Sequence, residues 1–200
     1  HSEKVLIMKR LLLILILTLS LQSWTKADDI KDIEIEGMSI GKSILEIMTK
    51  EEIESDMSQM YKSKKFSTVI YKKSDVYDSI QFSFLTSDKK FIIEDIEAKL
   101  IFKYNIKDCR IKQKKITESI KNIVGNDTEY WPLEKQIRKS DPSGKSIMYA
   151  EAFVFDEDES MIQIYCTDWS EEFEKKEWHD ELKVSIWSAS FSKFLDTEAY

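Results

Sequence analysis

The chain has 200 residues, with 37 Asp and Glu against 30 Lys and Arg, a net charge of −7, two His and two Cys. An acidic surface disfavours nonspecific attraction to phosphate backbones and anionic lipid, which argues against a nucleic-acid partner.

The first element is Met8-Lys-Arg, an apolar run over 11–21 and then Gln-Ser-Trp-Thr-Lys-Ala27. A positive n-region (Lys9, Arg10), an apolar run of ~7–15 residues and a small residue before a cut form the grammar of a secretory signal peptide. A membrane-spanning helix needs ~20 apolar residues, and Lys9 and Arg10 stop the run from extending back through residues 5–7. Residues 1–7 read as sequence upstream of a start at Met8, and cleavage after Ala27 leaves a body at 28–200. That body is expected to be periplasmic or secreted, and to touch the membrane only through an uncleaved signal peptide. The leader removes four basic residues (Lys4, Lys9, Arg10, Lys26) and one acid (Glu3), which moves the net charge from −7 to −10.

The body reads as extended at 32–38, a short helix near 42–48, and a second helix whose Thr49-Lys-Glu-Glu52 start is a capping box. Ile53, Met57 and Met60 are expected on one face of that second helix. Strands follow at 66–73, 79–85 and 94–104, where Ile80, Phe82 and Phe84, then Ile96, Ala98, Leu100 and Phe102, alternate with mostly polar neighbours. Such alternation marks an antiparallel sheet with one face buried. A helix at 109–124 comes next, with Asp108 as its cap and Gly125 as its terminator. After a polar stretch with Pro132, Pro142 and Gly144 come strands at 146–155, 161–169 and 181–187, and a short helix at 191–195. The run Asp156-Glu-Asp-Glu-Ser160 lacks the Gly and distal Glu of an EF-hand, so it reads as a hairpin turn. The expected fold is α+β: two helix-then-three-strand repeats, about 36–105 and 106–200, whose antiparallel sheet packs against helices.

Both cysteines lie in the body, and an even count in an oxidising compartment predicts one disulfide, Cys109–Cys166. Cys109 shares a helical stripe with Ile116, Ile120 and Ile123, and Cys166 alternates with Ile162 and Ile164, so both sulfurs are expected to face the core. Lys107, Arg110, Lys112, Lys114 and Lys115 cluster on the same helix, where charged residues ordinarily form a solvated face, the alternative being a local patch for an acidic partner.

The segments IEGMSIGKSILEIMTKEEI, NIKDC, YCTDW, DELKVSI and FLDTEAY resemble those of an uncharacterised group of small exported bacterial proteins. The order of a helical hairpin followed by strands, twice, together with GMSIGKSILEIM, more distantly resembles BamE-like domains and the β-lactamase-inhibitor protein. That resemblance implies binding of other proteins, here without the lipid-bearing Cys typical of BamE-like proteins.

His179 is the single His of the body, and the chain shows no nucleophile elbow, P-loop, dinucleotide fingerprint or HExxH. No enzymatic activity, metal or cofactor is therefore expected. Trp169, Trp178 and Trp187, with Tyr165 and His179 nearby, are the candidate recognition surface, since exposed aromatics anchor interfaces. The expected role is a binding or interaction module with another envelope protein as partner. An envelope hydrolase or a small-ligand-binding protein is the alternative. Intact-mass analysis of envelope-fraction protein is expected to place Asp28 at the N-terminus; a full-length cytoplasmic product would defeat the export reading.

Overall fold

A computed structural model of the protein describes residues 26–155 and 159–199. The apolar run of the leader lies outside the described residues, as do Asp156, Glu157 and Asp158 of the acidic run. Ala27 is buried; its N–H donates to Ile123 O at 2.7 Å and its carbonyl accepts from Gly125 N–H at 2.9 Å. The residue placed just before the expected cut is thus part of the folded body.

Seven strands, β1 (Phe66–Tyr71), β2 (Ser79–Leu85), β3 (Asp95–Ile101), β4 (Thr128–Ile137), β5 (Ile147–Phe155), β6 (Met161–Asp168) and β7 (Glu181–Trp187), make one sheet among the described residues. Its order is β1-β2-β3-β7-β6-β5-β4, and every neighbouring pair is antiparallel. Four α-helices accompany it among the described residues: α1 (Lys50–Asp56), α2 (Ile106–Ile123), α3 (Glu171–Glu174) and α4 (Ala189–Thr197). The α+β class is as read from the sequence, but the architecture is dominated by the sheet and is not a pair of helix-then-three-strand repeats. The second half holds four strands, because residues 128–137 form β4 where a polar connection was expected, and α3 interrupts β6 and β7.

Local chemistry sets the helix ends. Thr49 and Glu52 form the expected capping box at α1. The helix stops at Met57, whose backbone is extended, so Met57 and Met60 are exposed and only Ile53 of the expected apolar face is buried. The segment at 42–48 contributes a single 3-10 turn, Ile44–Glu46, capped by Ser43. Asn105, not Asp108, caps α2, its side chain accepting the Asp108 N–H. Gly125 follows α2 where the Asp28 carboxylate and Ala27 O come close to the position a Cβ would take, a close approach rather than a left-handed stop.

One face of the sheet carries the main core. The register aligns Val69, Phe82, Ile96, Ile186, Ile162, Phe153 and Tyr130 in a row across all seven strands. All but Tyr130 are buried, and Tyr130 packs against the cluster they form. The segment carrying Ile30, Ile33, Ile35, Met38, Ile40 and Ile44 joins the same cluster, as do Cys109 and Ile120 of α2. A smaller cluster of Phe66, Phe191, Phe194 and Ala199 places α4 against the opposite face.

The inner side of α2 differs from the expected stripe. Its buried residues are Cys109, Gln113, Thr117 and Ile120, while Ile116 is half-buried and Ile123 exposed. Two polar groups therefore face the sheet and must find partners there. Gln113 Nε2 donates to Tyr149 O at 2.8 Å and Ile164 O at 3.1 Å.

The expected disulfide joins α2 to β6: Cys109 and Cys166 are bonded, fully buried, with Cα atoms 6.1 Å apart and a sequence separation of 57. Closing a loop of this length stabilises by ~4 kcal/mol in the chain-entropy model. Replacing both cysteines with Ala is expected to cost ~2–5 kcal/mol, read as a lower urea midpoint. An unchanged midpoint would show that α2 is held by its other contacts alone.

Candidate functional site

β4 is an edge strand with little cover. From Trp131 to Ile137 every residue is exposed, including Trp131 at 48%, Leu133 at 41% and Ile137 at 66%. The register with β5 slips between Trp131 and Glu134, so Pro132 and Leu133 form a bulge. A bulge and a Pro without an N–H are usual features of edge strands. Beyond the bulge the ladder is regular, pairing Glu134 with Ala150, Lys135 with Tyr149, Gln136 with Met148 and Ile137 with Ile147. The Arg138 N–H donates to Ser146 O at 2.9 Å. Bonded and non-bonded pairs alternate along an antiparallel ladder. Residues 134, 136 and 138 therefore bond inward to β5, while Lys135 and Ile137 turn N–H and C=O outward. Asp141 fixes the following turn by accepting Ser143 N–H at 2.8 Å, Ser146 N–H at 3.0 Å and the Ser146 hydroxyl, which holds its carboxyl well below the usual range.

Two hollows flank this strand. On the helix side, a groove of about 590 Å³ lies between α2 and β4. Its floor holds Glu151, which accepts from Thr117 Oγ1 at 2.6 Å and from the Tyr130 hydroxyl at 2.7 Å. Burial, reinforced by the Glu151 bond, pushes the Tyr130 hydroxyl up to about 12. Lys107, Arg110, Lys114 and Lys121 line the helical wall. Offsets of three, seven and fourteen residues put them on one stripe. Arg110 sits over the Tyr149 ring and Lys121 over the Tyr130 ring, each 4.1 Å from the ring centre. The expected solvated basic face is thus in part the wall of a groove. On the other side of the sheet, a hollow of about 480 Å³ has Ala150 and Ala152 in its floor, with Trp131, Met161 and Trp187 also lining it.

The aromatic residues singled out in the sequence do not form one surface. Trp169 is only 3% exposed. Phe173 stacks on it at 5.2 Å and Trp178 meets it edge-on at 4.6 Å, which is why the opposite face of the strand is no guarantee of exposure here. Trp178 is 47% exposed, and His179 next to it packs edge-on against Tyr104 at 5.3 Å. Tyr165 is buried, its hydroxyl donating to Glu97 Oε2 at 2.9 Å. Glu97 also takes Lys183 Nζ at 2.7 Å, so these chemically capable groups are committed to one another. Burial raises the Tyr165 hydroxyl well above its ordinary value. Trp187 lies elsewhere, half-buried against the Phe66, Phe191 and Phe194 cluster beside the second hollow.

No family model, curated protein or solved structure matches the chain at a significant level. The geometry therefore carries the functional argument. The residues it brings forward, Tyr130, Trp131, Leu133, Ile137 and Glu151, are absent from the sequence-based candidates. Thr128, Tyr130, Trp131 and Ile137 are strand formers that could have flagged β4 despite Pro132.

Next to His179, Asp180 is buried and accepts N–H groups from Trp169, at 3.1 Å, and Ile106, tying β6 to the start of α2. Burial pushes its carboxyl up to about 6. An unfolded Asp titrates near ~3.9, so between about pH 4 and 6 the folded state holds a proton that the unfolded state releases. Stability therefore falls as pH rises through that window. The Asp180→Asn variant is expected to show a shallower fall in urea midpoint over the same range. The slope persists in part, because burial raises Asp95 and Asp168 as well. Superimposable slopes would remove Asp180 as a contributor.

Proposed function

We propose that this is an exported binding module that recognises another envelope protein through β4 and its flanking hollows. The observation that carries the reading is the outward-turned backbone of Lys135 and Ile137 beside exposed Trp131, Leu133 and Ile137. An open edge offers backbone hydrogen bonds to an incoming chain, and exposed aromatics supply anchoring area. The buried disulfide supports the exported setting, because such bonds persist in oxidising compartments. The interlocked Glu97, Lys183 and Tyr165 side chains favour a structural use of these groups over hydrolysis.

A photo-crosslinking residue at Leu133, in protein recovered from the envelope, is expected to capture one stoichiometric partner. Trp131→Ala should weaken that complex by ~2 kcal/mol, about thirtyfold. Trp131 is half exposed, so the variant should keep its urea midpoint. His179→Ala should leave the complex intact. Full partner affinity in Trp131→Ala would defeat the proposed surface, and loss of turnover on a defined substrate in His179→Ala would favour the hydrolase.

A further inference from the structure

Taking the binding reading above as its basis, we infer that the free edge of β4 receives an extended acidic segment of the partner as an eighth strand, with alternate carboxylates lying beneath the cationic stripe of α2.

The backbone sets the mode. Lys135 and Ile137 present N–H and C=O groups outward at alternate positions, the spacing an antiparallel strand needs. The opposite sheet edge is less open: on β1, Thr68 exchanges two 2.8 Å backbone hydrogen bonds with Ser58.

Charge sets the occupant. Lys135 is paired with Tyr149, whose ring lies under Arg110, so Lys135 points to the α2 side. It adds a fifth cation on the side of Lys107, Arg110, Lys114 and Lys121, beside a groove lined by the acids Glu118 and Glu151, and its charge also acts on Asp168. Glu118 is engaged by Lys121 at 3.2 Å, and Glu151 by the neutral hydroxyls of Thr117 and Tyr130. Lys107, Arg110 and Lys114 form no ion pair among the described residues. Side chains of an added strand alternate between the two sheet faces, so every second one enters this groove and the others lie beside Trp131 and Gln136. A second copy is a poorer occupant. Pairing two β4 strands about Gln136 satisfies the outward groups, but it also brings two Lys135 residues and two cationic stripes together.

The test uses the exported protein and a labelled, end-blocked heptapeptide alternating Glu and Val, with Gln/Val and Lys/Val peptides as controls. The Glu/Val peptide is expected to bind saturably in fluorescence anisotropy, to bind more weakly as salt rises, and to slow hydrogen exchange at the Lys135 and Ile137 amides. The Arg110→Glu/Lys114→Glu variant, altered on a solvent-facing wall, should lose about tenfold or more in affinity. Ile137→Pro should lose binding through the missing edge donor. Equal binding of the Gln/Val peptide would overturn the acidic preference. A dimer whose Lys135 and Ile137 amides are already protected would overturn it in favour of a second copy. Failure of all three peptides to bind would overturn the eighth-strand inference, while partner capture at Leu133 and its loss in Trp131→Ala decide the underlying binding reading separately.

Discussion

The pairing of β3 with β7 is the contact on which the rest of the molecule depends. It runs antiparallel from Asp95 opposite Trp187 to Ile101 opposite Glu181, and joins the last strands of two meanders, β1-β2-β3 and β4-β5-β6-β7. Without it each meander would present an open edge and half a core. With it, Ile96 and Ile186 complete the buried row from Val69 to Phe153. The same contact has a topological consequence: if the last strand of the second meander sits at the centre, its first strand must lie at the far edge. β4 is exposed because β7 is not.

The second constraint is the polar underside of α2. Gln113 and Thr117 occupy positions that an ordinary amphipathic helix would fill with apolar side chains. Their hydrogen bonds to Tyr149 O, Ile164 O and Glu151 remove the desolvation penalty, but each such bond adds only about 1 kcal/mol net. The Cys109–Cys166 bond holds a helix that burial alone grips weakly. What the polar underside brings in exchange is the groove: β4 extends beyond the cover of α2, and Glu151, Tyr130 and Thr117 form a polar, hydrogen-bonded floor where a fully apolar helix would have sealed onto the sheet.

Much of this fold was legible in the sequence wherever burial was one-sided. The strands β2 and β7 coincide with the runs 79–85 and 181–187 because period-two alternation is strongest where one face packs and the other is wet. The disulfide was legible for a related reason: Cys109 sat in phase with Ile120, and Cys166 with Ile162 and Ile164. β4 was not legible. An edge strand exposed on both faces has no apolar period to detect, and Pro132 argues locally against a strand. The cover over the candidate aromatics was not legible either. Trp169 and Tyr165 lie on the less-covered sheet face as their parity requires, but Glu97 of β3 reaches the Tyr165 hydroxyl, and Phe173 and Trp178 of the β6–β7 connection fold back over Trp169. Tertiary cover of this kind leaves no trace in local pattern.

A chain of net charge −7 should repel acidic segments at a distance. At physiological ionic strength the screening length is only about 8 Å, so an approaching carboxylate responds chiefly to charges within the groove it enters. There the local balance is cationic, and Arg110 and Lys121 are already held against Tyr149 and Tyr130, which reduces the side-chain freedom lost on binding. The surrounding acidity then acts as a filter. It opposes broad adsorption of polyanions, whose charges would extend past the groove onto acidic surface, while leaving a short strand-length acidic segment unopposed.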